Sequence, residues 1–499
     1  MTHAPTPLAS LPVPAAAPRP ATLPVQGSIS APTFSPELLA RMSKNGPRYT
    51  SYPTADRYTP AFGPGDYQAA LQVRARTPGQ ALSLYIHIPF CESVCYYCAC
   101  NKIVTRHHDR AARYLAALER EVALHTAVLG EGEPVSQLHF GGGTPTFLSD
   151  DELSRLMQVL RSRFAFQPDA EISIEVDPRT VSAQRLAHLA RLGFNRLSLG
   201  VQDFDEAVQR AIHRVQPYEQ VEALMRSARE LGFESINMDL IYGLPLQSAA
   251  SFERTIALVG ALRPDRIALY AYAHLPERFK PQRRILDSDL PDPATRVGLL
   301  GSAIAGFLAL GYVYIGMDHF ALPDDSLARA RASGQLQRNF QGYSTQPDCD
   351  LVALGVSSIG RVGSVYAQNV KTLDAYYERI EAGQFATERG LQCTPDDLVR
   401  RDIIMALMCR GEVDLADHVS SCGGGCGSAC SRTDAHRVAE QYGTELSRLR
   451  ELEALELCSL DGSRVSVTPQ GWYFVRAIAM TFDRRLRDDA VAGRYSRIA

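Results

Sequence analysis

The alternation inside the strand-like runs constrains this chain more than any other feature. Between residues 82 and 315, β-patterned runs recur with helical patterns between them. The runs are Leu82–Phe90, Gln137–Phe140, Glu171–Val176, Arg196–Val201, Ser235–Ile241, Arg266–Ala273 and Tyr312–Ile315. Repeated βα units imply a parallel sheet with right-handed crossovers. Parallel strands covered on both faces read as nearly continuous apolar runs. These alternate instead. Ile172, Ile174 and Val176 oppose Glu171, Ser173 and Glu175; Leu197, Leu199 and Val201 oppose Arg196, Ser198, Gly200 and Gln202; Met238 and Leu240 oppose Asn237 and Asp239. One face packs under helices and the other lines something wet. A partly closed barrel explains this better than a flat doubly wound sheet. Barrel enzymes keep their chemistry at the C-terminal ends of the strands, which singles out Glu175, Gln202 and Asp239. The plainer alternative is a structural network in which these groups satisfy one another.

The helices between the runs carry their own signals. Residues 109–129 place Tyr114, Leu115, Leu118 and Val122 on one face. Ser149 to Glu152 forms a capping box. Gly193 and Gly232 stop the next helices. Val297–Met317 has no charge and is long enough to span a membrane. Its glycines, and the helical spacing of Leu299, Leu300, Ala303, Ile304, Phe307 and Leu308, favour a buried helix followed by a strand. The prolines at 5, 7, 12, 14, 18, 20, 24 and 32 prevent regular structure at the N-terminus. That end lacks a basic region followed by an apolar core, so a reducing cytoplasm is the expected compartment. From about 395 helical patterns dominate (398–409, 433–457), then a hairpin-like run at 459–466 and a final helix from Gln470. The expected division is a Pro/Ala-rich tail (1–35), an arm (36–80), a catalytic barrel (81–394) and a mostly helical, winged-helix-like domain (395–499) with a Cys-rich insert at 418–431. A formal charge of −3 over 499 residues offers no electrostatic footprint for nucleic acid.

The cysteines carry the chemistry. Cys91, Cys95 and Cys98 form C-x3-C-x2-C directly after the first strand. Such a loop folds around an iron–sulfur cubane and presents three thiolates to three irons. A structural zinc site would want four ligands, usually as two CxxC pairs. Cys100 is a candidate fourth ligand, but it lies too close to Cys98 to reach another cubane corner comfortably, so it is assigned a neighbouring role. His139-Phe-Gly-Gly-Gly-Thr-Pro-Thr146 follows the second strand. Its glycines let the backbone approach a ligand and expose amides.

These two features together resemble the radical S-adenosylmethionine (SAM) superfamily. The resemblance sharpens with Arg48–Ala55 (RYTSYPTA), CYYCACN (95–101), EVDPR (175–179), GVQDF (200–204), DLIYGLP (239–245), YAHLP (272–276), IGMDHF (315–320), NFQGYST (339–345) and the terminal Tyr495–Ile498. Together they are similar to the oxygen-independent coproporphyrinogen III oxidases (HemN type). The resemblance implies an α/β fold built as a partial (β/α)6 barrel. It implies a [4Fe–4S] cluster on Cys91, Cys95 and Cys98 and two SAM molecules. The first would contact Tyr85, Tyr97, Gly142, Glu175 and Ile359; the second would contact Gly143, Thr144, Gln202, Arg214, Asp239 and Ala273. The implied reaction turns two propionates of coproporphyrinogen III into vinyl groups through a 5′-deoxyadenosyl radical, giving protoporphyrinogen IX for heme biosynthesis. No side-chain base removes a proton from such an unactivated carbon near neutral pH. A flavodoxin- or ferredoxin-type electron donor and a monomeric, membrane-free enzyme without nucleic-acid partners complete the expectation.

The nearest rival is the heme-chaperone branch of the superfamily. Its members start close to the cluster, carry Phe where this chain has Cys100, and lack the RYTSYPT and NFQGYST segments. A nucleic-acid regulator built on the C-terminal domain is a more distant rival, with salt-sensitive DNA retention as its signature. His418-x3-Cys422-x3-Cys426-x3-Cys430 departs from the family pattern. It is either a zinc or auxiliary-cluster site or a Gly/Ser loop with incidental cysteines. Cys349, Cys393, Cys409 and Cys458 read as packing or surface thiols, and Trp472 as core. His87 either faces the site or is a satisfied structural histidine.

Overall fold

The computed structural model describes residues 38, 41–42, 46–77, 79, 81–419 and 434–487. The N-terminal tail, the cysteines of the insert and the terminal Tyr495–Ile498 lie outside these residues. Six parallel strands form the heart of the fold: β1 (Leu82–Ile88), β2 (Glu133–Gly142), β3 (Phe164–Val176), β4 (Arg196–Gln202), β5 (Ser235–Tyr242) and β6 (Arg266–Ala271). They pair in chain order, each beside the next. This is the partial (β/α)6 barrel of the sequence reading. β2 and β3 run longer than their alternation suggests, β2 continuing through Phe140 into the glycines, while β1 and β6 stop two residues short of the runs read from sequence.

The sheet is also wider than expected. A hairpin of β7 (Val313–Gly316) and β8 (His319–Ala321) closes one edge. The Tyr312–Ile315 run is therefore not the neighbour of β6: β8 lies between them, antiparallel to both. A two-stranded ribbon, β9 (Gln337–Asn339) and β10 (Gly342–Ser344), follows. Beyond it, β11 (Leu351–Leu354) pairs parallel with β1. From β11 the sheet continues antiparallel through β12 (Ile359–Val362), β13 (Val365–Asn369) and β14 (Thr387–Gln392).

The helices begin and end where their caps predict. The Ser149–Glu152 box is formed by both of its reciprocal bonds, at 3.2 and 2.8 Å. The uncharged stretch splits into helix Pro293–Ala309 and strand β7. Among the described residues no helix is long and apolar enough to cross a membrane. In the C-terminal part, helices Pro395–Arg410 and Asp434–Glu453 flank a small sheet of β15 (Glu412–Asp414), β16 (Cys458–Asp461) and β17 (Arg464–Val467). The single helix expected from Gln470 is instead a string of short turns, 471–474, 475–479, 480–482 and 484–487. Phe474 leaves helical geometry (φ −114°, ψ 19°) as the segment bends to bury Trp472, Phe474, Ile478 and Phe482. One continuous apolar core joins this segment to the barrel.

Candidate functional site

The polar faces of the strands do converge. Gln137, His139, Ser173, Glu175, Arg196, Ser198, Asn237, Asp239, Arg266 and Tyr270 line one interior cavity, the lumen of the open barrel. Its wall is completed by His319, Gln341 and Tyr343 from beyond β6. At the strand-start end, ion pairs seal the lumen: Arg196–Glu171 at 2.8 Å and Arg266–Asp325 at 2.8 Å. Burial would raise the Glu171 carboxyl, but the Arg196 and Arg266 charges hold it down at about 2. At the other end sit the groups singled out by sequence.

The cysteine loop is built as a closed ring. Phe90–Cys91 pairs in parallel with Ile103–Val104, so residues 92–102 leave the sheet and return to it. Ile103 N donates to Pro89 O at 2.7 Å and Thr105 N to Cys91 O at 2.9 Å. The ring is pinned from outside by Tyr96, which stacks on His213 at 4.9 Å, and by His213 Nδ1 donating to Val94 O at 2.8 Å. Cys91 and Cys95 are buried; Cys98 is half-buried and Cys100 exposed.

The glycine run packs directly on this ring. Gly143 N donates to Ile88 O and Thr144 N to Phe90 O, both at 2.8 Å. Thr144 Oγ1 lies 3.5 Å from Cys91 Sγ. Side chains would not fit: a Cβ on Gly143 would stand 2.7 Å from Phe90 O, and one on Gly142 (φ +112°) 2.5 Å from the His87 ring. His87 itself is buried and satisfied. Its Nε2 donates to Asn101 O at 3.1 Å, so Nδ1 accepts from Tyr85 OH at 3.1 Å. Burial keeps its imidazole below the ordinary range and hence neutral. Both readings of His87 meet here, since a structural histidine forms the bed of the glycine loop.

The remaining candidates other than Ile359 fall around these two loops. Glu175 accepts from Gly142 N at 3.1 Å, and His139 bridges Ser173 Oγ (2.6 Å) and Glu175 Oε1 (3.4 Å). Asp239 is tied to Ser198 Oγ at 3.1 Å and Asn237 Nδ2 at 2.9 Å. Burial, then the neighbouring Glu175 charge, pushes its carboxyl up to about 6. Gln202 ends β4 at a bulge with φ +73°. Gln282 Nε2 joins two others, donating to Tyr97 O at 2.9 Å and Ala273 O at 3.1 Å. Ile359, at the start of β12, packs with the Tyr58–Tyr366 cluster.

Arg214 makes the most telling contact. Its guanidinium reaches Cys95 Sγ at 3.4 Å and Asp177 Oδ2 at 3.2 Å. Arg179 Nη2 approaches the same sulfur at 3.6 Å while gripping Asp177 at 2.6 Å. Asp177 and Arg179 were not singled out by pattern, although both stand in the EVDPR run; only the fold brings them to the cysteine. Two guanidiniums beside one sulfur give the ring a cationic rim. Three thiolate donors on a ring with a cationic rim fit a [4Fe–4S] cluster. Among the described residues no three His, Cys, Asp or Glu side chains close around a single ion. A cubane asks for one thiolate at each of separate corners, not for that convergence.

Comparison with known proteins agrees. The radical SAM superfamily profile matches residues 85–259. The chain is 48% identical to the oxygen-independent coproporphyrinogen III oxidase of Escherichia coli over 92% of its own length and 97% of the relative's. It belongs to the oxygen-independent coproporphyrinogen III oxidase family. The Pseudomonas aeruginosa oxidase is 46% identical over 90% of this chain and 95% of its own. The solved structure of the E. coli enzyme, coproporphyrinogen III oxidase (HemN), described as a radical SAM enzyme, superposes with a TM-score of 0.81. It covers 88% of this chain and 97% of its own at 46% identity. Membership in the radical SAM superfamily brings a [4Fe–4S] cluster and SAM as cofactors.

Proposed function

We propose that this chain converts coproporphyrinogen III to protoporphyrinogen IX without oxygen, by oxidative decarboxylation of two propionate side chains. The observation that carries this reading is the cysteine ring set between the glycine loop and the Arg179–Arg214 pair, at the mouth of a polar lumen. When bound, the cluster and SAM would supply radical chemistry able to take hydrogen from an unactivated carbon.

Cys91, Cys95 and Cys98 would hold the cluster. Tyr85, Tyr97, Gly142, Glu175 and Ile359 would hold a first SAM, and Gly143, Thr144, Gln202, Arg214, Asp239 and Ala273 a second. In this chain Glu175 is fixed by Gly142 N, which leaves its other oxygen toward His139 and the lumen as an acceptor for an ammonium group. The sealed lumen floor and packed outer face keep water from a reactive radical. Each propionate gives up a hydrogen atom, carbon dioxide and one electron. A flavodoxin- or ferredoxin-type protein would feed the cluster, and an acceptor must take the electron left on the substrate. A monomer working in a reducing cytoplasm suits this chemistry.

The test is anaerobic turnover with reductant, SAM and coproporphyrinogen III. The wild-type chain is expected to form the divinyl product and Cys95→Ala none. Activity unchanged in that variant would overturn the cluster assignment. Stoichiometric heme retention without vinyl product would favour the chaperone reading instead.

A further inference from the structure

Two kinds of arginine stand at the lumen: some line it, and others pack against the aromatic rings of its wall. Those on its floor are neutralised by carboxylates within 2.8 Å. Arg48 and Arg338 are not: among the described residues no carboxylate lies within 4.0 Å of either. The two are locked together, Arg338 Nε donating to Arg48 O at 3.2 Å. Arg48 lies over the Tyr270 ring at 5.5 Å, and Arg338 over the Tyr343 ring at 4.6 Å. Both rings, with His319, line the lumen. His319, on the same wall, is driven down to about 3 by burial and then by these two positive charges.

Arg338 is 4% exposed, and its Nη1 is buried without a hydrogen-bond partner among the described residues; so is Nη2 of Arg48. A buried donor left unpaired is costly, and a charged one more so. Asp318, whose carboxyl feels both arginines, is itself held up by burial even though Arg48, Arg476 and Arg338 all pull it down. Two guanidiniums packed on the aromatic rings of this wall therefore carry buried donors that no described residue accepts. Paired guanidiniums match a carboxylate with planar, bidentate geometry.

We propose that Arg48 and Arg338 bind a carboxylate of the substrate at this aromatic wall. The proposal deepens the functional reading above and rests on it, because the tetrapyrrole substrate presents propionates. It gives the RYTSYPTA segment a task that its sequence leaves open. The arm brings Arg48 over Tyr270, a ring of the lumen wall, and holds Arg338 through its own carbonyl.

The experiment compares wild type with Arg48→Met, Arg338→Met and Arg338→Lys, all loaded with cluster under anaerobic conditions. It reads KM for coproporphyrinogen III, SAM affinity, and equilibrium binding of coproporphyrin III against its tetramethyl ester. Each Met variant should weaken the free acid and raise KM by about tenfold to a hundredfold. SAM affinity and ester binding should stay at the wild-type level, and Arg338→Lys should restore part of the loss. Wild-type KM in both Met variants, or acid and ester weakened alike, would overturn the proposal. If wild-type enzyme forms no vinyl product the functional reading falls, and the acid-against-ester comparison still decides the two arginines.

Discussion

At the scale of single residues, the site depends on groups that leave no room for change. Gly142 combines a positive φ with a hypothetical Cβ position only 2.5 Å from the His87 ring. That ring cannot swing away, because both nitrogens are engaged. Gly142→Ala should cost about 1–3 kcal/mol in backbone strain alone. It should also abolish SAM binding by lifting the loop off its bed. Thermal unfolding and equilibrium dialysis with SAM check both parts, and near-normal binding would show that the loop tolerates a side chain. The need for glycine was legible in the GGG run. The partner that imposes it was not, since His87 and Gly142 are far apart in sequence and meet only because β1 and β2 are neighbours. Asp177 and Arg179 show the same limit. A charge pair two residues apart is ordinary on a surface, and only its placement against Cys95 makes it part of the site.

At the scale of elements, alternation exposed the six central strands because one face of each meets helices and the other meets the lumen. It could not expose β11 and β13, which are short and buried on both faces and so show no period to read; β12 and β14 are partly exposed. Their attachment is mediated by one buried carboxylate. Glu121, on helix Arg110–Leu129, accepts from Gly355 N and Asn369 Nδ2 at 2.7 Å and from Tyr376 OH at 2.6 Å. Burial pushes its carboxyl up to about 7 against the pull of these bonds. A carboxyl raised in the folded state contributes stability that is complete below about pH 4 and is lost as pH rises through 7, about 3 kcal/mol in all. Urea unfolding at pH 5 and pH 8.5 should show that loss in wild type. Glu121→Gln, uncharged at both, should lack it; equal slopes in the two proteins would refute the assignment.

At the scale of the whole molecule, the C-terminal part is sewn to the barrel. Trp472, the chain's one tryptophan, donates Nε1 to Ile315 O on β7 at 3.1 Å, and Arg331 caps its ring at 4.8 Å. Tyr343 OH donates to Met408 O at 2.9 Å, and Tyr49 OH of the arm to Asp483 Oδ2 at 3.0 Å. A shared core predicts shared unfolding. Tryptophan fluorescence and far-ultraviolet ellipticity should report one coincident transition, and Trp472→Ala should lower stability by about 3–5 kcal/mol. Two separated transitions would show the C-terminal part to be independent. The sequence by itself determined the parallel barrel, its polar lumen, the three-cysteine loop and the glycine loop, because each is written in local spacing that any fold of this chain must respect. The tertiary structure alone decided which charges reach Cys95, which arginines meet no carboxylate among the described residues, and how the arm and C-terminal turns close on the barrel. Those facts depend on contacts between residues hundreds of positions apart, and local periodicity carries no information about them.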